Sequence, residues 1–236
     1  IARVDFSKAR DDVYQEHPEW FQINADGSPA RAGAYYRSCP MSDYQREAFA
    51  LPVLREIQTR YGVDGYHLNA GGYGGFCYCP ACQEAYAAVH DGAPLPRNPA
   101  ADPAAWQSFL RWREEVIGQH LALLYAAMQE QNPEAFFMAE LAGPQSPAWA
   151  LNAAHHLPSL ARSCSQLLLT AGEVSAGRVS RDWVGLACEQ ARAARRKRAP
   201  IINIKMQMRE LNYPHALMPP AEFAFHAYQA LAHGAG

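Results

Sequence analysis

The sequence predicts an α/β fold, a (β/α)8 TIM barrel of which residues 1–236 supply roughly strands 3 to 8, with the first strands missing. Three observations carry this expectation. Short apolar runs alternate with long amphipathic segments, which is the pattern of parallel strands joined by crossover helices. The stretches after the runs are long and rich in polar and aromatic residues. The joins back into the next run are tight, as at Tyr61-Gly62-Val63-Asp64, Asn132-Pro133 and Arg198-Ala199. Barrel enzymes place their chemistry in the strand-to-helix loops, so this asymmetry favours a closed barrel over a doubly wound sheet. No phosphate-cradling glycine loop follows a run; Gly71-Gly72-Tyr73-Gly74-Gly75 has no Lys-Ser/Thr partner and no dinucleotide spacing.

The runs are Ile1 to Phe6, Gly65 to Asn69, Ala135 to Glu140, Ser165 to Thr170 and Pro200 to Lys205. They read as strands buried on both faces, apolar throughout. Ser42-Asp43-Tyr44-Gln45 reads as a capping box before a helix with Phe49, Val53, Leu54, Ile57 and Tyr61 on one stripe. Asp102-Pro103 supplies an N-cap and a first-turn proline to a second helix. Its stripe is Trp106, Phe109, Leu110, Val116, Ile117, Leu121 and Leu124. Arg181 to Arg198 reads as a third helix. A fourth follows Pro219-Pro220, with Phe223, Tyr228 and Leu231 among its expected core positions.

With 21 Lys and Arg against 23 Asp and Glu, the formal charge is -2, which argues against a nucleic-acid or anionic-membrane partner. The basic run Arg192 to Arg198 is expected to be a solvated helix face. No stretch of roughly 18 apolar residues is long enough to span a membrane. The chain opens on a strand without a leader and closes on a glycine-marked helix end, so a single domain over 1–236, cut at both ends, is the expectation.

Cys77-Tyr78-Cys79-Pro80-Ala81-Cys82 packs three thiols into six residues, and Cys39 lies on the preceding loop. Thiols this close pair poorly with one another as disulfides. Four thiolates suit tetrahedral Zn(II) and close its shell, so structural Zn(II) is expected at Cys39, Cys77, Cys79 and Cys82. Free thiols or a disulfide are the alternatives; a cytoplasmic location is favoured if the cysteines hold zinc. Cys164 and Cys188 read as small apolar core residues.

Four stretches resemble the glycoside-hydrolase barrels related to family 42 β-galactosidases, and more closely the group called hypothetical glycosyl hydrolase 6. They are Arg3-Val4-Asp5-Phe6-Ser7 with His17-Pro18-Glu19-Trp20, Cys39-Pro40 with the helix running to Gly65, the cysteine loop 77–82, and Gln229 to Ala235. The resemblance implies a barrel glycosidase acting on an oligosaccharide or glycoside, with zinc on the cysteine loop and no organic cofactor. A homo-oligomer is the analogy from relatives. In family 42 the fourth strand ends in Asn-Glu, whose Glu is the acid/base. Here that strand ends in Asn69-Ala70. A pattern with an Asp nucleophile at this strand end fails as well, because the position is Asn69.

Glycoside hydrolysis needs two carboxyl groups facing across the bond, about 5–5.5 Å apart when retaining and about 6.5–9.5 Å when inverting. Strand ends offer Asp5, Glu140 and Glu173. Glu140, emerging from an apolar strand, suits a general acid; the alternative is a hydrogen-bonded Glu at the barrel mouth. Glu173 is the expected partner, with a solvated loop carboxylate as its alternative. Asp5 could join the pair or orient a hydroxyl, and alternatively pairs with Lys8 or Arg10. Trp20, Trp149 and Tyr73 offer faces for a pyranose. His67, Asn69, Lys205, Gln207 and Arg209 sit on or just past strands as hydroxyl partners, with Asn203, Lys205 and Gln207 alternating to one side of theirs. His155-His156 reads as a surface pair. The second functional reading is a sugar-binding barrel that has lost hydrolysis, motivated by Ala70.

Overall fold

The computed structural model describes residues 1–69, 71–142, 147–171, 182–194, 199–204, 207–210, 213–217 and 219–235, with backbone alone at 142, 147, 170–171, 203, 207–210 and 213–217. Strand β1 (Ala2–Val4) is followed by β2 (Lys8–Ala9), α1 (Asp11–Glu16), β3 (Arg31–Ala32) and β4 (Tyr35–Arg37). Then come α2 (Ala50–Tyr61), β5 (Gly65–Leu68), α3 (Pro80–Val89), α4 (Pro103–Gln131), β6 (Phe136–Ala142), α5 (Pro147–Ala153) and α6 (Leu157–Leu160). The chain continues through β7 (Gln166–Ala171), α7 (Trp183–Ala194), β8 (Ile201–Ile204), β9 (Gln207–Glu210), β10 (Tyr213–Leu217) and α8 (Pro220–Ala232).

Five strands form one sheet in the order β1-β5-β6-β7-β8, every neighbouring pair parallel. Order in space equals order in sequence, with helical crossovers between strands. That is the topology of five consecutive strands of a (β/α)8 barrel. All five predicted runs become these strands. β7 is apolar throughout as expected, with Leu167, Leu168 and Leu169 all buried, whereas β5 and β6 alternate. Tyr66, Leu68, Phe137, Ala139, Leu141, Leu167 and Leu169 are buried on the face that meets the helices. Tyr66 donates from its hydroxyl to the Leu54 carbonyl of α2, and Tyr125 of α4 lies 5.6 Å from the Phe137 ring. The opposite face carries Arg3, Asp5, His67, Asn69 and Glu140. The apolar positions dominate the short runs and conceal a polar stripe with a period of two.

Helix α4 begins as its sequence requires: the Asp102 carboxylate accepts from Ala105 N at 2.9 Å, with Pro103 in the first turn. Phe109, Val116, Ile117, Leu121 and Leu124 are buried, and Arg113 and His120 lie on the same buried face. The capping box at Ser42 does not form. Ser42 Oγ donates to Cys39 O at 2.7 Å, residues Asp43–Gln45 make a single 3-10 turn, and α2 starts only at Ala50. On that helix Leu54 is buried and Tyr61 exposed, and Phe49, just before its first residue, is exposed.

Helix α7 covers Trp183–Ala194, the middle of the predicted 181–198; residues 195–198 of the basic run lie outside the described residues. Helix α8 buries His226 against the Trp183 ring, 5.0 Å away. Tyr228 and Leu231 are 72% and 64% exposed, so they are not core positions. Gly65 is required by close packing: a Cβ there would stand 2.5 Å from Phe136 O. Cys164 and Cys188 are buried, as expected.

Candidate active site and cysteine centre

The register aligns Val4 with Leu68 and Leu68 with Ala139, so the next residues, Asp5, Asn69 and Glu140, stand at one level. They occupy the C-terminal ends of three adjacent parallel strands, on the face turned away from the helices. One residue pair lower, Arg3 stands opposite His67. Parallel pairing thus gathers five polar side chains from three segments far apart in sequence.

They are joined by hydrogen bonds. His67 Nε2 lies 3.1 Å from Glu140 Oε2, with only 16% and 12% of the two side chains exposed. Arg3 Nη2 donates to Asn69 Oδ1 at 2.7 Å and lies 3.9 Å from Glu140 Oε2. Asn69 Nδ2 donates to Asp5 Oδ2 at 2.8 Å. Asp5 also accepts from Ser7 N at 2.9 Å, Ser7 Oγ at 2.6 Å and Lys8 Nζ at 3.0 Å. Burial would raise the Asp5 pKa, but the bonds from Ser7, Asn69 and Lys8 outweigh it and hold the carboxyl below its ordinary 3.8. Asp5 is therefore an ionised anchor that orients Asn69, and the expected pairing with Lys8 is present. Arg10 pairs with Asp12 instead.

Other expected site residues are placed differently. Gln207 and Arg209 do not continue β8; their backbone forms an antiparallel hairpin with β10, apart from the parallel sheet. Glu173, Lys205 and Ala70 lie outside the described residues. Trp20 stacks on His17, centroids 3.7 Å apart, so one of its faces is already covered. Trp149 is 43% exposed on α5. Tyr73 is no stacking platform: it is buried, with its hydroxyl 3.6 Å from Cys82 Sγ. His155 is no surface residue. Both its ring nitrogens are buried and burial pushes the imidazole down to about 4, while His156 is exposed. A Cβ on Gly72 would come within 2.5 Å of His155 Nε2, so glycine is what lets the loop after β5 close over that ring.

Sequence reading passed over Arg3 and Arg113. Each is a cation inside an otherwise apolar pattern, the same signal that singled out Lys205.

The four cysteines Cys39, Cys77, Cys79 and Cys82 are buried together, and their sulfurs all lie within 4.8 Å of one another. Cys39 Sγ is 3.5 Å from Cys82, 3.6 Å from Cys79 and 3.9 Å from Cys77. A tetrahedral metal with bonds of about 2.3 Å sets its ligand sulfurs about 3.8 Å apart, so the quartet has the dimensions of a metal cage. Met41 N donates to Cys39 Sγ at 3.4 Å. All six cysteines are free of disulfides.

Residues 1–70 match the family model of hypothetical glycosyl hydrolase 6, a stretch that runs from β1 through Asn69. β-Galactosidase BglY of Alicyclobacillus acidocaldarius is 36% identical over 75 residues, 30% of this chain and 11% of that protein. A polyextremophilic β-galactosidase from the Antarctic haloarchaeon Halorubrum lacusprofundi superposes with a TM-score of 0.77 at 18% identity, over 99% of this chain and 42% of that one. Gan42B, a GH42 β-galactosidase from G. stearothermophilus, gives 0.75 at 16% identity, over 97% of this chain and 39% of that one. The chain thus spans about two fifths of the length of these solved structures. Its fold is part of a (β/α)8 barrel, and it resembles family 42 β-galactosidases and the hypothetical glycosyl hydrolase 6 group. No helix among the described residues is long and apolar enough to cross a membrane.

Proposed function

We propose that this chain forms the greater part of the catalytic barrel of a glycoside hydrolase. The supporting observation is the polar row Asp5, Asn69 and Glu140 across three strand ends, completed by Arg3 and His67. Barrel enzymes bind their substrates at that end, and carboxylate, amide, imidazole and guanidinium together offer both donors and acceptors to sugar hydroxyls. Glu140 is the acid/base or the nucleophile, with Glu173 as the second carboxylate. Asp5 keeps Asn69 in place and stays ionised. Trp20, Lys205, Gln207 and Arg209 supply further substrate contacts. A β-galactoside is the first substrate to offer, because the relatives' names specify β-galactosidase activity. Zn(II) at Cys39, Cys77, Cys79 and Cys82 serves as scaffold, since four thiolates leave no open position for water.

The test uses the full-length protein, Glu140→Gln and Glu173→Gln, assayed on a panel of aryl glycosides. Each substitution is expected to lower kcat/KM by about a thousandfold, equivalent to roughly 4 kcal/mol of transition-state stabilisation. Activity that survives both changes would refute the assignment. The second reading, sugar binding without hydrolysis, is favoured by Ala70 at the place where family 42 carries its acid/base. It predicts binding of sugars by a wild-type protein inert on the whole panel.

A further inference from the structure

Arg113 is 1% exposed, among the most deeply buried side chains in the molecule, and it carries a charge. Among the described residues no carboxylate lies within ion-pair distance of it. Its Nη1 donates to Leu151 O at 2.9 Å, and Nη2 donates to Gly75 O at 2.8 Å and Asn152 O at 2.5 Å. Carbonyls satisfy donors but do not neutralise a cation. Nε is buried with no acceptor among the described residues. A buried guanidinium that meets no carboxylate among the described residues is costly, and negative charge on nearby thiolates would offset that cost.

The cysteine cage is the source within reach. The guanidinium carbon sits 5.0 Å above the Tyr73 ring and 4.3 Å above that of Phe76. The Tyr73 hydroxyl is 3.6 Å from Cys82 Sγ, and Gly75, whose carbonyl Arg113 holds, is two residues before Cys77. Tyr73, Cys39, Cys77, Cys79 and Cys82 are all buried, so little water intervenes. Four thiolates around a divalent ion leave a net charge of about -2 in this dry setting, which is itself unfavourable. The two buried charges compensate each other. Burial lowers the Arg113 pKa, while Tyr73 and the Cys82 and Cys77 sulfurs work the other way, as expected for a cation facing thiolates.

We propose that Arg113 is the counter-ion of a tetrathiolate metal centre formed by Cys39, Cys77, Cys79 and Cys82, with Tyr73 bridging the two through its hydroxyl on Cys82. Arg113 also ties the centre to the last turn of helix α5 through Leu151 O and Asn152 O. This rests on the zinc reading above, and the measurements keep the two apart.

The full-length protein is loaded with zinc, its content measured by elemental analysis, and its affinity read by competition with a chromophoric chelator near pH 7.5. Wild type is expected to hold one zinc. Arg113→Met is expected to weaken zinc binding by about tenfold or more, the scale of one buried charge interaction at an effective dielectric near 20. Arg113→Lys, which keeps the charge and loses the fork, is expected to stay within about threefold of wild type. Wild-type affinity in Arg113→Met overturns the proposal, as does equal weakening in both variants. A wild type without zinc overturns it together with the zinc reading, and only that outcome touches the latter. If Arg113→Met does not fold, the lysine variant decides: retained affinity supports the counter-ion, and a loss beyond threefold overturns it.

A second readout separates charge from mere packing. By reciprocity, zinc must strengthen Arg113 as much as Arg113 strengthens zinc. The fall in urea midpoint caused by Arg113→Lys and Arg113→Met is therefore compared in the zinc-loaded protein and in a Cys77→Ser/Cys82→Ser background. A larger fall for Met in the zinc-loaded protein is expected. An equal fall in both backgrounds means that Arg113 only holds carbonyls, and overturns the proposal.

Discussion

Asp5 and His155 show how two partly buried titratable side chains are put to opposite uses. Asp5 is ionised below its ordinary value because Ser7, Asn69 and Lys8 outweigh the cost of burying it. Its contribution to stability is present above about pH 4 and is lost as the pH falls through its depressed folded-state value. Asp5→Asn should therefore lower the urea midpoint at pH 7, and the gap to wild type should close toward pH 2; a gap constant from pH 7 to 2 would show that charge is not what Asp5 contributes. His155 and His120 are held neutral, at about 4 and about 3. Between those values and the ordinary 6.5 the unfolded chain binds more protons, so stability rises with pH in that window. Each histidine adds at most about 1.4 kcal/mol per pH unit to the slope. His120→Leu should flatten the slope of stability between pH 4 and 6, measured by urea titration; an unchanged slope contradicts a neutral buried His120. Such residues are hard to read from sequence, because His155-His156 carries no mark of which ring turns inward.

At the scale of elements, helix α4 was the most legible. Asp102, Pro103 and the apolar stripe each fix one feature of it, and all three appear. Asp102→Ala should cost about 1 kcal/mol in stability through loss of the bond to Ala105 N; a cost under about 0.3 kcal/mol would show that the cap is not formed in solution. The short strands are legible as apolar runs, and β7 is buried throughout, but β5 and β6 alternate. Buried Tyr66, Phe137 and Leu169 outweigh the intervening His67 and Glu140 in any average over four to seven residues. The failed capping box at Ser42 has a tertiary cause, since Ser42 and Gln45 turn to Cys39 O and Ser38 Oγ and support the cysteine loop. That loop also yields a prediction by metal removal. Chelation should make Cys39, Cys77, Cys79 and Cys82 reactive to a thiol reagent and leave buried Cys164 and Cys188 protected, with a fall in Tm. Equal reactivity before and after chelation would remove the metal from the account.

For the whole molecule, topology was readable from loop asymmetry and element order, because parallel strands demand crossovers and a barrel demands that loops be elaborated at one end. The site was readable in its members but not in its wiring. Asp5, His67, Asn69 and Glu140 all lie on or at the ends of strands in sequence; that Arg3 reaches Asn69 and that His67 engages Glu140 depends on a register no local pattern encodes. The separate hairpin at Gln207–Glu210 was missed for the same reason, as an apolar run gives no sign of where a sheet ends and a hairpin begins. The polar row is thus a property of the assembled sheet, and its occupant is the central claim. The most direct measurement is a crystal structure of the full-length protein soaked with the monosaccharide that best inhibits it. A sugar ring at the strand ends, hydrogen-bonded to Glu140 and to His67 or Arg3, is the expected result. A ring bound elsewhere on the molecule, with that row untouched at saturating sugar, would contradict it.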